Sequence, residues 1–277
     1  MPWQTIGFEK IKRFFETAVD QGRLSHAYLF SGPEMIGKKT LALEFAGGPG
    51  PDVKIVDPAR SGSGQTIGID QIRDLKSFIS LSPYLGEQKF AIINDAHLMT
   101  EESQNALLKV LEEPSPSSLL ILVTASPDSL LPTVISRCQE IKFSTHPQAV
   151  VARFLENRRL PADQSNFLTG FAGGRLGLVK NAVENGLFLE IEHSVKDLVA
   201  LARADLEERF AFAQKMSDDK RRAEMIREVF YWLLYAKTRL ASPASFRLAR
   251  SLLSLHQNVN QPQYNHRLAL ENFLLNL

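Results

Sequence analysis

The segment Ser31–Thr40 (SGPEMIGKKT) follows the apolar stretch Ala27–Phe30 and leads into a second apolar stretch, Leu41–Phe45. A short apolar run ending in a glycine-containing loop that opens a helix is the context of a phosphate-binding turn, and it commits the chain to an α/β fold with a parallel sheet. Gly32 and Gly37 let the backbone curl so that its N–H groups face an anion. The following helix adds the positive end of its dipole, and Lys38 has the reach to contact outer phosphates. The plainer alternative is a strand-to-helix turn with a surface lysine, and the correctly placed strand and helix argue against it. Gly32, Pro33, Gly37, Lys38, Lys39 and Thr40 are the candidate nucleotide-binding residues of this loop.

The rest of the first half keeps a β/α rhythm. Phe8, Ile11, Phe15 and Val19 recur at helical spacing, and Gly22 can stop that helix. Val53–Val56, Phe90–Ile93, Leu119–Thr124 and Glu140–Phe143 read as further strands separated by helical stretches. Asp70 is the expected N-cap of a helix through Ile79. Thr100 is the expected cap of another, with Glu101 and Glu102 at its positive end and Pro114 stopping it. Pro58–Gln65 (PARSGSGQ) is expected to be a mobile surface loop. Beyond Phe143 the strand signal ends. His146–Gly186 reads as three short helices broken near Pro161 and at Gly173–Gly174, and everything from Leu187 is helical. Met225, Ile226, Val229, Phe230 and Leu233 form one apolar stripe there, and Ala269, Phe273, Leu274 and Leu277 another. The expected organisation is an α/β domain over 1–145, a helical lid over 146–186 and an all-helical domain over 187–277.

Composition narrows the function classes. A chain of 277 residues with 44% apolar and 23% charged residues has the makings of more than one packed core. Lys plus Arg (32) nearly balance Asp plus Glu (31), so any DNA contact has to be local or shared with other subunits. Arg153, Arg158 and Arg159 read as a solvated basic face. Cys138 is the only cysteine, which excludes an intrachain disulfide and a thiolate zinc cluster and fits the reducing cytoplasm. Met1–Lys10 lacks a leader pattern and the apolar run Leu119–Val123 is too short to span a bilayer, so neither export nor membrane insertion is expected. His26 and His97 have no partners at metal-ligand spacing, and Glu112 and Glu113 precede Pro114 as helix-end residues rather than an acid/base pair.

The loop departs from the usual phosphate-binding pattern at its metal ligands. Lys39 stands where a Ser or Thr would hold magnesium, with Thr40 one residue late. At the end of the strand Phe90–Ile93, Asn94 takes the place of the magnesium-associated aspartate, and its neutral amide oxygen binds a hard dication less well than a carboxylate. Asp95 remains as an acid that can polarise water. Two losses on one metal predict poor magnesium binding and weak or absent hydrolysis, even where ATP or ADP binds the loop. Lys39 is a candidate substitute for the metal's charge.

Three segments, Arg23–Ala42, Asn94–Pro116 (NDAHLMTEESQNALLKVLEEPSP) and Ile135–Cys138 (ISRC), together resemble the bacterial clamp-loader family of AAA+ proteins, the DNA polymerase III subunits that load the sliding clamp. Asn258–Leu277 is similar to the last collar helix of the delta-prime branch, so the resemblance runs the length of the chain. It implies an AAA+ nucleotide domain, a lid and a collar that holds the subunit in a hetero-oligomeric ring with gamma or tau and delta. That ring acts on the sliding clamp and primed DNA in the cytoplasm. It also implies that Arg137, within Ser136–Cys138, is an arginine finger for a neighbour's nucleotide, and that Thr124 is the first sensor, although a strand-end threonine satisfying local backbone is an open alternative. The second sensor falls within GGRLGLV, where the family's arginine position holds Leu176. Arg175 lies one residue earlier, about 100° away around a helix. The four-cysteine zinc module of many members is replaced by Ala46–Asp52, so no zinc is expected. The degenerate metal ligands fit delta prime better than a gamma-like active ATPase, which stays the alternative. A small-molecule phosphotransferase lacks any substrate motif.

Overall fold

The computed structural model describes residues 3–61, 64–158, 160–217, 222–259 and 264–277. Gly62 and Ser63 of the PARSGSGQ segment, Arg159 of the basic trio and residues 260–263 of the terminal segment lie outside that set. The chain forms two compact units that divide after His146.

In the first unit five strands, β1 (Ala27–Ser31), β2 (Val53–Val56), β5 (Lys89–Ile93), β6 (Ser118–Thr124) and β7 (Gln139–Lys142), make a parallel sheet in the order β2-β5-β6-β1-β7. β1 is buried along its whole length because helices cover both faces, as the unbroken run AYLFS predicts. Alternate side chains go to opposite cores. Ala27 and Leu29, Ala91 and Ile93, and Leu120 and Leu122 face α3 (Ile69–Ser80), α4 (Glu101–Glu112) and α5 (Pro132–Ile135). Tyr28 and Phe30, Phe90 and Ile92, and Ile121 and Val123 face α1 (Glu9–Asp20) and α2 (Lys38–Phe45). Each fully buried Leu, Ile or Phe contributes about 1.5–3 kcal/mol of transfer free energy, so the alternation fixes the register as well as the stability. Because all five strands run the same way, the residues that follow β1, β2, β5 and β6 gather along one edge, the usual position of a ligand site in an open α/β sheet.

Two local expectations need correction. Gly68, not Asp70, is the N-cap of α3, and Asp70 sits in the first turn, where its charge still favours the positive helix end and pairs with Arg73 at 3.0 Å. The Pro58–Gln65 segment is not wholly loop, since β3 (Ala59–Ser61) and β4 (Gly64–Thr66) pair as a two-stranded ribbon. Thr100 does cap α4, accepting from the Ser103 N–H at 3.2 Å.

The second unit is helical: α6 (Gln148–Glu156), α7 (Ala162–Phe171), α8 (Leu176–Glu184), α9 (Leu187–Leu201), α10 (Leu206–Met216), α11 (Arg222–Lys237), α12 (Pro243–Val259) and α13 (His266–Leu275). One core joins Val151, Leu168, Phe171 and Val179 to Ile191, Tyr231 and Leu234, so helices on either side of residue 186 share a cluster. A second core packs Leu198, Met225, Val229, Trp232, Leu252 and Phe273. Trp232 is fully buried and donates to the Ser194 carbonyl at 2.9 Å. Among the described residues no helix is long and apolar enough to cross a membrane.

Candidate functional site

The loop leaves β1 through Gly32, whose N–H donates to the Thr124 carbonyl at 3.2 Å, and turns at Gly37 (φ 108°), which caps α2. Gly37 has no side chain to cap with, and Leu41 is the residue whose N–H first finds an intrahelical acceptor, Gly37 O at 3.0 Å. The N–H groups of Lys39 and Thr40 therefore open off the helix start without an intrahelical acceptor, the arrangement that receives an oxyanion. A Cβ on Gly32 would run into the Phe143 carbonyl oxygen, so that glycine is required by the neighbouring strand end. The far side of the loop is braced. The His146 ring, buried over Phe8 with centroids 4.5 Å apart, contacts the Ile36 carbonyl through Nε2 at 3.0 Å.

Lys38 is 6% exposed, and its ammonium donates to Gly32 O and Pro33 O, both at 2.6 Å, so it lies across the mouth of the loop. Lys39 points the other way. Its Nζ donates to both carboxylate oxygens of Asp57, at 2.7 and 2.9 Å. Asp57 follows β2, and no local pattern in the sequence marks it. The Asn94 amide donates to the same Asp57 carboxylate at 3.0 Å and to Asp95 Oδ2 at 2.9 Å. With two carboxylates facing it, the amide must present its nitrogen, since its oxygen would meet negative charge. Thr40, the late hydroxyl, is exposed.

The fold family implies magnesium at this place, and the donor set here does not fit it. A dication needs several open oxygen ligands at short range. Here a resident ammonium occupies the Asp57 carboxylate, and the neighbouring position turns N–H groups toward the site. Among the described residues no three His, Cys, Asp or Glu side chains converge to hold a metal. The phosphate cradle itself fits an anion.

Thr124 is fully buried at the end of β6. Its hydroxyl accepts from the Ser126 N–H at 3.0 Å and lies 3.3 Å from His97 Nδ1. Burial pushes His97 below the usual imidazole range, against the opposing charges of Asp95 and Glu34, while Lys38 adds to the depression. Thr124 Oγ1 and His97 Nδ1 share one hydrogen bond whose donor is set by the His97 tautomer, so Thr124 has both of its local bonds made within the first unit. Without partners at metal-ligand spacing, His97 reads in the sequence as a packing or hydrogen-bonding residue, and it is hydrogen-bonded here. The structure makes it the link between Thr124 and the acidic strand end.

Arg137 sits in the turn after α5. It donates to the Thr133 carbonyl at 3.0 Å and pairs with Glu112 at 2.9 Å, with its side chain 36% and that of Glu112 49% exposed. Glu112 is thus a partner for the arginine as well as a helix-end residue. Cys138 packs against the sheet core, and burial alone raises its thiol to about 12, which removes it as a nucleophile. In the second unit Arg175 precedes α8, and its guanidinium lies 5.6 Å from the centre of the Phe230 ring. It is turned into the helical core beside Lys237 and His256 rather than solvated. Arg158 pairs with Glu184 at 2.7 Å and stacks on Phe154, so it too is a structural cation.

Comparison with known proteins meets this geometry from outside. Residues 47–147 match the family model described as "DNA polymerase III, delta subunit". The chain is 31% identical over 207 residues to DNA polymerase III subunit tau of Bacillus subtilis, covering 66% of this chain and 35% of that protein. It is 30% identical over 198 residues to subunit delta' of the same bacterium (63% and 58%) and 35% identical over 138 residues to delta' of Pseudomonas aeruginosa (41% and 42%). It therefore spans 35% of the tau relative and 58% of the longer-matched delta' relative. A crystal structure of a DNA polymerase III gamma subunit-related protein from Thermotoga maritima shares the fold, with TM-score 0.54, 21% identity and coverage of 96% of this chain and 97% of that one. Residues 47–147, the latter part of the α/β unit, thus match a DNA polymerase III subunit family, and the relatives at 30–35% identity, named delta' and tau, are clamp-loader subunits.

Proposed function

We propose that the chain is a delta-prime-like subunit of a DNA polymerase III clamp loader, which hydrolyses little ATP itself and supplies Arg137 to the nucleotide of a neighbouring subunit. In this reading the lid is 146–186 and the collar 187–277, and the collar helices α9–α13 hold the subunit in a ring with gamma or tau and delta. The ring loads the sliding clamp onto primed DNA in the cytoplasm. The phosphate loop takes ATP or ADP, with Gly32, Pro33, Gly37, Lys38, Lys39 and Thr40 around the phosphates and Asn94 and Asp95 at the strand end. Zinc has no part, and Arg175, whose guanidinium lies over Phe230, stands next to the second-sensor position held by Leu176.

The observation that carries the finger is the way Arg137 is held. A pair between side chains 36% and 49% exposed contributes about 0–1 kcal/mol, so it orients the guanidinium without burying it. A polyphosphate presents more charge and the same bidentate geometry, and it outcompetes one exposed carboxylate. The test is Arg137→Ala in a complex reconstituted with gamma or tau and delta. Assembly on a sizing column is expected to be unchanged and ATPase to fall by about tenfold or more, since fingers of this kind contribute about 10³ or more in rate. Unchanged ATPase removes the finger.

One observation favours a gamma-like active ATPase: the tau relative aligns over a slightly larger share of this chain than the delta' relatives do. Steady turnover by the purified chain alone, abolished by Lys38→Ala, would establish that reading.

A further inference from the structure

We infer that Lys39 is the site's resident cation: held by Asp57, its ammonium takes the place of the divalent ion, so that the loop binds a nucleoside polyphosphate free of metal, with an affinity indifferent to magnesium. This rests on the reading of the loop as a nucleotide-phosphate site.

Three strand or helix ends meet at this ammonium. Lys39 lies in the first turn of α2, directly after Lys38, and reaches both oxygens of Asp57 at the end of β2. Asn94, at the end of β5, ties the same carboxylate to Asp95. A dication entering here would have to expel the ammonium from Asp57 and meet the amide nitrogen of Asn94, both of which oppose positive charge. The lysine already supplies a positive charge next to the helix start, where the phosphates of a nucleotide would lie. The pair is not locked. The Lys39 and Asp57 side chains are 40% and 52% exposed, and an exposed pair of this kind is weak enough for the ammonium to turn from Asp57 to an arriving phosphate. Asp57 is then a positioning residue, which parks the lysine at the site when no phosphate is there.

Calorimetric titration of ADP into the full chain, once in EDTA and once in millimolar magnesium, tests this. The wild type is expected to show affinities within about threefold of each other, and Lys39→Thr/Asn94→Asp to bind about tenfold or more tightly with magnesium than without. A second measurement needs no nucleotide. Magnesium alone should leave the melting temperature of the wild type unchanged and raise that of the double variant. Tenfold tighter binding of ADP to the wild type in magnesium overturns the inference, as does a double variant that ignores magnesium in both measurements. No ADP binding in either buffer refutes the nucleotide reading, and the magnesium-only melting curves then decide the role of Lys39 by themselves.

Discussion

Replacing the two loop glycines one at a time by alanine separates two reasons for a glycine at a phosphate loop. Both have positive φ, 142° at Gly32 and 108° at Gly37, so alanine at either position carries conformational strain of about 1–3 kcal/mol. At Gly37 nothing is added to that, because the new methyl would find Phe8 Cε2 at 3.8 Å and Thr5 Cγ2 at 3.9 Å, ordinary contact distances. At Gly32 the methyl would meet the Phe143 carbonyl oxygen, with Phe143 C at 3.0 Å and Cβ at 3.1 Å. That carbonyl belongs to backbone and cannot swing aside. Moving it strains the bond in which the Phe143 N–H donates to Ser31 O at 2.7 Å, worth about 0.5–1.5 kcal/mol, and overpacking typically costs about 1–3 kcal/mol more. Gly32→Ala is therefore expected to destabilise the first unit by about 3 kcal/mol or more and Gly37→Ala by about 1–3 kcal/mol. The two tryptophans allow the units to be followed apart, since Trp3 stacks on Phe45 in the first and Trp232 is buried in the second. In a Trp232→Phe background, urea unfolding followed by Trp3 fluorescence should show the midpoint of Gly32→Ala lowered by roughly 1–2 M relative to its parent. A Gly37→Ala midpoint as low as that of Gly32→Ala, or lower, refutes the assignment of Gly32 to strand packing.

Thr124→Val removes the acceptor of the Ser126 N–H and the partner of His97, and it should cost about 1 kcal/mol on the same Trp3 readout, with Thr124→Ser close to wild type. Equal loss in both variants would assign the effect to packing. In the second unit burial, then Lys237 and Arg175, lowers His256 to about 4, while its ring packs on Phe230. A folded value below the unfolded one of about 6.5 means that the neutral form is the folded form. Its contribution is complete above pH 6.5 and is lost as pH falls toward 4. Acid unfolding followed by Trp232 should accordingly shift to lower pH in His256→Gln, and an unmoved or higher midpoint contradicts this.

The parallel sheet was legible because its central strands β1, β5 and β6 are largely apolar runs, and every strand boundary in the sheet falls within a residue of its expected place. The ribbon of β3 and β4 was not, because small polar residues signal a turn whether or not its arms pair. At the site, Lys39 and Asn94 could be read as departures because each stands at a fixed position in a local pattern. Asp57 could not. Its partners come from α2 and from the end of β5, and only the sheet order, which sets β2 beside β5, brings them to it. Glu112 escaped for the same reason, since α4 and the turn after α5 meet only in the folded unit. For Arg175 the helical offset showed that it had left the family's position, but periodicity carries no information on whether the residue before a helix faces solvent or a ring such as Phe230.

Lys39–Asp57 and Arg137–Glu112 are alike in energy and differ in what they leave open. Each joins side chains between 36% and 52% exposed, so each contributes about 0–1 kcal/mol, and the fold does not depend on either. Residues 39 and 137 are then set by what the charges do rather than by what they stabilise. Under the proposed function they divide two tasks that an active ATPase subunit combines: Lys39 keeps the chain's own phosphate loop without a metal, and Arg137 offers its charge elsewhere. The division has a consequence for the reconstituted complex. Because the two pairs share no residue, restoring metal ligands with Lys39→Thr/Asn94→Asp should leave the neighbour's Arg137-dependent turnover in place, and the loss on Arg137→Ala should be the same with or without the restored ligands. A loss that changes when position 39 is altered would mean that the two charges act on one site.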